Sequence, residues 1–309
     1  MKAKHVIIYL LLVIVTSSCI RDEAPNAEAD ILSCRLPGIT MTTSPIINNN
    51  SVTLFVTPGT NISALAPEFT LTSGATITPA SGTERNFNSP QEYQVTAADG
   101  IWKKTYAISV IDTELATIYN FEDTISGKKY YIFVERENDK VIMEWASGNA
   151  GYAMTGVAKT ADDYPTFQIA NGKNGKCLSL VTRSTGFFGG LVGMPIAAGN
   201  LFIGSFDVNN AMSNPLQATK FGLPFRHVPT YLAGYYKYKA GDQFTEGGKP
   251  VEGKRDICDI YAIMYETSVS VPTLDGTNAF TSPNLVSMAR IKDAKETDEW
   301  TYFKLPFTT

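Results

Sequence analysis

Histidine is scarce in this sequence, and its scarcity excludes several kinds of catalytic centre. Only His5 and His227 occur among the 309 residues. A zinc site built from several histidines is therefore excluded, as is the H-E-x-x-H metalloprotease motif. The nucleophile elbow G-x-S-x-G, the phosphate loop G-x-x-x-x-G-K-[ST] and the dinucleotide fingerprint G-x-G-x-x-G are also absent. Most nucleotide-dependent and serine-triad chemistry is thus excluded.

Charged residues are scarce as well, at 18% of the chain, and acids outnumber bases by 30 to 26. The resulting net charge of −4 gives no electrostatic attraction to nucleic acid. Aromatic residues reach 11% of the chain. A chain of this length and composition is expected to fold into two domains, each with a hydrophobic core of its own.

No apolar run is long enough to span a bilayer. Residues 6–15 are apolar, follow Lys2 and Lys4, and have the length of a signal-peptide core. Small residues come directly before Cys19, and this arrangement resembles a bacterial lipobox. In a lipobox the cysteine is lipidated and becomes the first residue of the mature protein. The acidic residues 22–23 resemble the surface-export signal of Bacteroidetes lipoproteins. We expect a lipid anchor in the outer membrane, facing the cell exterior; the alternative is an ordinary secretory signal with a chance cysteine.

Three cysteines remain if Cys19 carries lipid. Cys34, Cys177 and Cys258 are odd in number and irregular in spacing, so no disulfide framework is implied. We expect three buried thiols.

The first part of the mature chain has the pattern of a small β-sandwich. Residues 19–30 are polar and unpatterned, as in a flexible tether. Apolar residues then alternate with polar ones in short runs between Gly, Pro and Asn turns as far as residue 111. We predict an antiparallel, immunoglobulin-like β-sandwich over residues 31–111.

Larger, more aromatic strands follow residues 112–114, which we interpret as a hinge. The predicted strands cover residues 118–122, 130–134, 141–145, 178–181, 201–206, 235–239, 257–265, 285–291 and 300–307. Residues 214–219 give the one helix signal, and the Gly-rich residues 186–190 are interpreted as a loop. The fold class is therefore all-β, with a larger jelly-roll β-sandwich over residues 115–309.

Five motifs in this second part occur in a characteristic order. They are Trp145-Ala-Ser-Gly-Asn149-Ala-Gly151, Ala198-Gly-Asn-Leu-Phe202-Ile-Gly204, Phe221-Gly-Leu-Pro-Phe225, Gly234-Tyr-Tyr-Lys-Tyr-Lys239 and Asp259-Ile-Tyr-Ala262. Together they resemble the "putative carbohydrate metabolism domain" of surface lipoproteins from gut Bacteroidetes. The resemblance implies a jelly roll similar to carbohydrate-binding modules and some glucanases, and it brings no mapped active site. Members of that family usually continue into a further Ser/Gly-rich loop and a last strand, so we expect that strand to be missing after Thr309.

Carbohydrate recognition needs flat aromatic rings that stack on sugars and polar groups that bind the hydroxyls. Alternation places Tyr235 and Lys237 on one side of a strand and Tyr236 on the other. The mixed Tyr/Lys side is either a binding surface or a solvated exterior, and Trp145 belongs to the core unless its face is the open one. The candidate carbohydrate-binding residues are Trp145, Asn149, Asn200, Tyr235, Lys237 and Trp300.

Hydrolysis of a glycosidic bond needs two carboxyl groups across that bond. The candidates are Asp256, Asp259 and Glu266, which lie near one predicted strand; Asp259 is expected to be buried with Arg255 or Arg290 as its partner. They form no recognisable catalytic signature. Three functions therefore stay open: a glycan-binding protein, a glycoside hydrolase or lyase, and an adhesin or assembly component without a sugar site.

No cofactor is expected, apart from a structural calcium. Glu122 and Asp123 end the first predicted strand of the jelly roll, a region that often holds calcium in carbohydrate-binding jelly rolls. A solvated strand end is the preferred interpretation of these two acids. His227 is interpreted as a loop histidine rather than a catalytic one. The expected partners are a glycan or polysaccharide and the membrane that holds the lipid, not nucleic acid.

Overall fold

The computed structural model describes residues 25–268 and 270–309, and strands account for most of its regular structure. The all-β fold predicted from the sequence is confirmed, and it is consistent with a β-sandwich. The predicted signal peptide and lipidation at Cys19 lie outside the described residues. Within the part of the chain that is described, no helix combines the length and the hydrophobicity needed to cross a bilayer.

Seven strands make up the first part of the fold. They are β1 (Ile31–Arg35), β2 (Ile46–Ile47), β3 (Ser51–Phe55), β4 (Glu68–Leu71), β5 (Thr76–Thr78), β6 (Gln91–Thr96) and β7 (Lys103–Ile111). Five of them form a sheet in the order β2-β3-β7-β6-β5, and β1 pairs with β4. The residues of β3, β6 and β7 that point to one side, among them Val52, Leu54, Val95 and Ile108, are fully buried in a shared core. The period-two pattern therefore predicted the core-facing side of these strands.

One strand pair differs from the expected antiparallel sandwich. β3 runs parallel to β7, with Ser51 opposite Ala107 and Phe55 opposite Ile111. A parallel pair needs a long crossover connection, and the chain between β3 and β7 supplies one that contains β4, β5 and β6. Alternation within a strand does not encode its direction, so the sequence pattern could not have distinguished the two arrangements.

The packed part of the chain begins before residue 31. Ala29 is buried, and Asp30 accepts hydrogen bonds from Lys104 Nζ at 2.5 Å and from the Tyr106 hydroxyl at 2.9 Å. Hydrogen bonding to the Lys104 ammonium lowers the pKa of Asp30 below its ordinary value. The end of the predicted tether is thus fixed to the first sheet.

In the described residues after β7, the structure has fifteen strands. They are β8 (Val134–Glu137), β9 (Lys140–Glu144), β10 (Thr166–Ile169), β11 (Cys177–Leu180), β12 (Arg183–Ser184), β13 (Ile196–Ala197), β14 (Gly204–Phe206), β15 (Thr219–Phe221), β16 (Tyr231–Tyr238), β17 (Thr245–Glu246), β18 (Lys249–Pro250), β19 (Tyr261–Tyr265), β20 (Leu274–Asp275), β21 (Leu285–Arg290) and β22 (Thr297–Pro306). The short helices are α1 (Asn149–Tyr152), α2 (Gly186–Leu191), α3 (Asn210–Ser213) and α4 (Pro215–Ala218), with 3-10 turns at Ala153–Thr155 and Ala161–Asp163. Helix α2 occupies the segment that the sequence favoured as a loop.

Pairing in this second part is mostly local. The ladders are β8-β9, β10-β11, β12-β13, β14-β15-β20, β16-β22, β17-β18 and β19-β21. Backbone hydrogen bonds between Met288 and Thr308, at 2.8 and 3.0 Å, connect β21 to the residues that follow β22. The two long antiparallel pairs, β16-β22 and β19-β21, are thereby joined.

The strand expected over residues 118–122 is absent from the structure. Phe121 has a φ of +57°, which takes it out of the extended conformation. The Gln168 side chain donates to the carbonyl oxygens of Phe121 at 2.7 Å and Glu122 at 2.9 Å. A side-chain amide therefore makes the hydrogen bonds that the backbone of a neighbouring strand would otherwise make. The first regular strand of the second part begins at Val134.

Among the described residues, the three cysteines are free thiols, but only Cys34 is buried; Cys177 and Cys258 are partly exposed. Burial raises the pKa of the Cys34 thiol to about 12. The expectation of three buried thiols is therefore wrong for two of them, which lie at or near strand ends close to the surface.

The expected hinge is held by contacts from the second part of the chain. Lys140 Nζ lies 2.7 Å from Asp112 Oδ1, and His227 Nε2 lies 3.0 Å from Glu114 Oε2. The His227 ring also packs edge-on against Phe225. His227 is thus a loop residue with a structural partner, as the sequence analysis favoured.

Candidate functional site

The longest strand pair of the second part carries a row of exposed aromatic side chains. β16 and β22 run antiparallel, with Tyr231 opposite Pro306, Ala233 opposite Lys304 and Tyr235 opposite Tyr302. Exposed and less exposed residues alternate along the whole of β16. We call the solvent side of this pair the open face; it is formed by Tyr231, Tyr235, Lys237, Trp300, Tyr302 and Lys304.

The opposite side of the pair packs against the protein. Leu232, Phe303 and Leu305 are less exposed than their neighbours, and Tyr236 pairs with the Phe303 ring at 6.2 Å between centroids. A Cβ at Gly234 would stand 3.0 Å from Phe303 Cζ, so glycine leaves room for that ring. Because side chains alternate along a strand and this side is the less exposed one, the other side chains point into solvent.

The rings of the open face are accessible. Tyr231, Tyr235 and Tyr302 expose 51%, 48% and 55% of their surface. Tyr235 and Tyr302 lie across from each other with ring centroids 5.3 Å apart and planes tilted by 54°. Single exposed aromatic side chains are common on protein surfaces, but a contiguous group of them is typical of binding surfaces.

Lysine side chains lie over these rings. Lys304 Nζ is 4.0 Å from the centroid of Tyr231, and Lys237 Nζ is 5.5 Å from that of Trp300. Lys173, in the loop between β10 and β11, places its Nζ 4.3 Å from the Tyr235 centroid. The face therefore combines flat apolar surfaces with hydrogen-bond donors, the two elements that sugar recognition requires.

The second part of the chain matches a family described as "Putative carbohydrate metabolism domain" over residues 120–309. The chain belongs to this family. A second family model, described as "SGBP, N-terminal", matches residues 31–110. The domain is thus related to carbohydrate metabolism, as the five sequence motifs implied.

Two solved structures of Bacteroides proteins are similar to this member of the family. A putative glycoside hydrolase from Bacteroides thetaiotaomicron VPI-5482 is 85% identical, with a TM-score of 0.89, over 93% of this chain and 84% of that one. A putative glycoside hydrolase from Bacteroides vulgatus ATCC 8482 is 48% identical, with a TM-score of 0.58, over 62% of this chain and 77% of that one. Among curated proteins, none matches this sequence.

Three of the six sequence candidates for sugar binding lie together. Tyr235, Lys237 and Trp300 share the open face. Trp145 belongs to a different aromatic cluster, where it packs against Tyr119 at 5.0 Å and Phe121 at 5.5 Å between ring centroids. Its indole nitrogen donates to Glu135 at 2.8 Å, so the polar edge of this tryptophan already has a partner within the protein.

Asn149 and Asn200 hold backbone segments together. Asn149 is fully buried, donates to the Thr166 carbonyl oxygen at 2.7 Å and accepts from the Thr166 amide at 3.1 Å. Asn200 Oδ1 accepts from the amide of Gly148 at 2.7 Å, and the backbone of Asn200 exchanges hydrogen bonds with the Thr166 hydroxyl. These contacts join α1, β10 and the start of the Asn200 loop, and they leave Asn149 no surface with which to contact a sugar.

The three carboxylate candidates do not converge on one point. Asp259 is exposed and makes two hydrogen bonds with Arg290, at 2.7 and 3.0 Å, so the predicted partner is confirmed and the predicted burial is wrong. Glu266 lies beyond the other end of β19, on the order of 20 Å away along an extended strand. Glycosidase pairs lie about 5–10 Å apart, so Asp259 and Glu266 do not form one. Asp256 is also exposed, and its Oδ1 accepts from the adjacent Ile257 amide.

The carboxyl groups with raised pKa values lie elsewhere, on the β8-β9 hairpin. Desolvation raises the pKa of Glu135, beside Trp145, and that of Glu144. Glu135 lies opposite Met143 and Val134 lies opposite Glu144, so the two acids point to different sides of the hairpin. They too are unsuited to act on the same glycosidic bond.

Glu122 and Asp123, the candidate calcium ligands, each bind a backbone amide of the protein. Glu122 Oε1 accepts from the Lys176 amide at 3.0 Å, which fastens the loop between β10 and β11. The Asp123 carbonyl oxygen accepts from the Val134 amide at 3.1 Å. Across residues 25–268 and 270–309, no group of three or more His, Cys, Asp or Glu side chains is placed to hold a metal ion.

The sequence analysis did not select Tyr231 and Lys173 as members of this site. For Tyr231 a signal existed, because Tyr231, Ala233, Tyr235 and Lys237 are two residues apart and continue one alternation. For Lys173 there was none, since its position over Tyr235 depends on the path of a loop that comes from another ladder.

We expect Asn149→Ala to destabilise the fold rather than to remove a ligand contact. The substitution leaves the amide and the carbonyl oxygen of Thr166 without partners in a buried site, so the free energy of unfolding should fall by about 2–4 kcal/mol. Chemical denaturation measures this change. Asn171 is exposed, so Asn171→Ala is the control and should change the free energy of unfolding by less than about 0.5 kcal/mol. Full stability of Asn149→Ala, together with loss of glycan binding, would contradict the structural role.

Proposed function

We propose that this chain is an outer-surface lipoprotein that binds glycans through the open face of β16 and β22, in carbohydrate acquisition or metabolism. The observation that carries the proposal is the group of exposed aromatic rings on that face, Tyr231, Tyr235 and Tyr302, next to the half-buried Trp300. Sugar rings have apolar faces that stack on such surfaces, while their hydroxyl groups remain free to bind donors at the edge. Lys237 and Lys304 supply donors beside the rings.

Membership of the carbohydrate metabolism family supports a glycan as the ligand, and so does the match of residues 31–110 to the "SGBP, N-terminal" model. The same model supports a surface-associated protein of the Bacteroidetes. On this proposal, the first sandwich acts as a spacer that holds the open face away from the membrane.

Hydrolysis is the alternative function, and it is favoured by the similarity to two Bacteroides proteins described as putative glycoside hydrolases. A hydrolase built on the sequence candidates would use Asp256 with Asp259, since Glu266 lies at the far end of β19. Arg290 engages both carboxylate oxygens of Asp259, which opposes its use as an acid or a nucleophile. These contacts favour binding over turnover. If hydrolysis does occur, Asp256→Asn should abolish it and leave binding intact.

We expect Tyr235→Ala and Tyr302→Ala each to weaken glycan binding by about tenfold, which corresponds to about 1.4 kcal/mol of stacking energy. A glycan array probed with the lipid-free chain from residue 20 identifies a ligand, and calorimetry measures the affinities. Trp102→Ala is the matched control, because Trp102 is an exposed aromatic residue of the first sandwich. If the tyrosine variants bind like the wild type, the open face is not the site. If the folded protein binds no plant, host or microbial glycan on the array, an adhesin or assembly component is favoured.

The proposal also predicts that Cys19 carries a lipid. Growth of a Bacteroides host on a labelled fatty acid should label the wild-type chain and the control Cys258→Ser, but not Cys19→Ser. The labelled protein should fractionate with the outer membrane and be accessible to protease added to intact cells. Unlabelled wild-type protein, released in soluble form, would show that the segment is an ordinary secretory signal.

A further inference from the structure

The three lysines at the open face, Lys237 and Lys304 from its strands and Lys173 from the neighbouring loop, lack the acidic partners that several other lysines of the fold have. Lys104, Lys140 and Lys254 each lie within 2.7 Å of a carboxylate oxygen. For Lys173, Lys237 and Lys304, by contrast, no carboxylate oxygen within 4.0 Å is found in the described parts of the chain, and each ammonium lies over an aromatic ring instead. Three positive charges on one surface are thus left without acidic partners in a protein whose net charge is −4.

Rings and ammonium groups alternate along the face. Tyr231 occupies one row of the ladder, Lys304 lies across from Ala233 in the next, and Tyr235 lies across from Tyr302 in the third. Side chains on one side of a strand are about 7 Å apart along its length. Several linked sugar rings can therefore lie along the face with an ammonium group beside more than one of them.

Acidic residues are confined to one end of the pair. Asp298 and Glu299 are exposed and lie beyond Trp300, where the register of the ladder shifts between Tyr236 and Tyr238. The two strands therefore contribute Lys304 and no acidic residue to the part of the face that contains Tyr231, Tyr235 and Tyr302.

An exposed lysine is held only weakly by an aromatic ring, whereas an ammonium forms a stronger, charge-assisted hydrogen bond with an anionic oxygen. A lysine can therefore move from the ring to an acidic group of the ligand. The same movement uncovers the ring for stacking. A neutral sugar offers no anion in exchange, so it has to displace the ammonium without this compensation.

We propose that the open face selects anionic glycans, in which the acidic group, a carboxylate or a sulfate ester, is bound by Lys173, Lys237 and Lys304 while the sugar rings stack on Tyr231, Tyr235 and Tyr302. This inference rests on the proposed glycan-binding function and adds the chemical class of the ligand.

The test compares matched polymers on the mature chain. One pair is polygalacturonate with its fully methyl-esterified form, and the other is dextran sulfate with dextran; an array of acidic and neutral glycans extends both pairs. At low salt, the protein should bind the anionic polymer of a pair at least about tenfold more tightly than the neutral one. Binding should weaken in 0.5 M NaCl, because salt screens exposed charges. The first pair identifies carboxylates as the recognised group, and the second identifies sulfates.

The triple variant Lys173→Gln/Lys237→Gln/Lys304→Gln should lose this preference. Its control is Lys103→Gln/Lys129→Gln/Lys249→Gln, which removes the same charge from exposed lysines elsewhere and should keep the preference. Equal binding of neutral and anionic glycans, with loss in Tyr235→Ala, would overturn the anionic preference and leave glycan binding intact. A preference for anions that both triple variants lose equally would also overturn it, because net charge alone would then explain it. Absence of binding to every glycan would overturn both proposals.

Discussion

The antiparallel pairing of β16 with β22 is the constraint on which the candidate site depends. Because Tyr235 lies opposite Tyr302, and because Phe303 and Leu305 must be covered, the remaining side chains of both strands point into solvent. A shift of one residue in this register would bury the tyrosines and expose the apolar side. Gly234 leaves room for the Phe303 ring across from it, since a Cβ there would stand 3.0 Å from Phe303 Cζ.

The aromatic and the carboxylate candidates differ in how the structure arranges them. The exposed rings form one continuous surface, whereas the carboxylates are dispersed over strand ends and opposite sides of a hairpin. Stacking needs only a flat surface held in place, and a two-stranded ladder supplies one. Glycosidic hydrolysis needs two carboxyl groups at a defined separation. Both carboxylate oxygens of the exposed Asp259 accept hydrogen bonds from Arg290.

Sequence reasoning could predict what depends on local periodicity. The alternation in Tyr235, Tyr236 and Lys237 predicted which side chains of β16 share a side. It could not predict what depends on distant contacts. Asn149 resembles a ligand-binding amide in sequence, and only its hydrogen bonds to Thr166 show that it is a buried brace. The direction of β3 against β7 and the placement of Lys173 over Tyr235 likewise arise from tertiary structure.

Hydroxyl-radical footprinting, read out by mass spectrometry, tests the central claim most directly. The chain would be oxidised with and without the glycan that gives the strongest array signal, and the modification of each aromatic residue would be compared. The account predicts that the glycan protects Tyr231, Tyr235 and Tyr302 severalfold and leaves the exposed Trp102 unchanged. Unchanged oxidation of these three tyrosines at a saturating glycan concentration, with protection elsewhere, would contradict it.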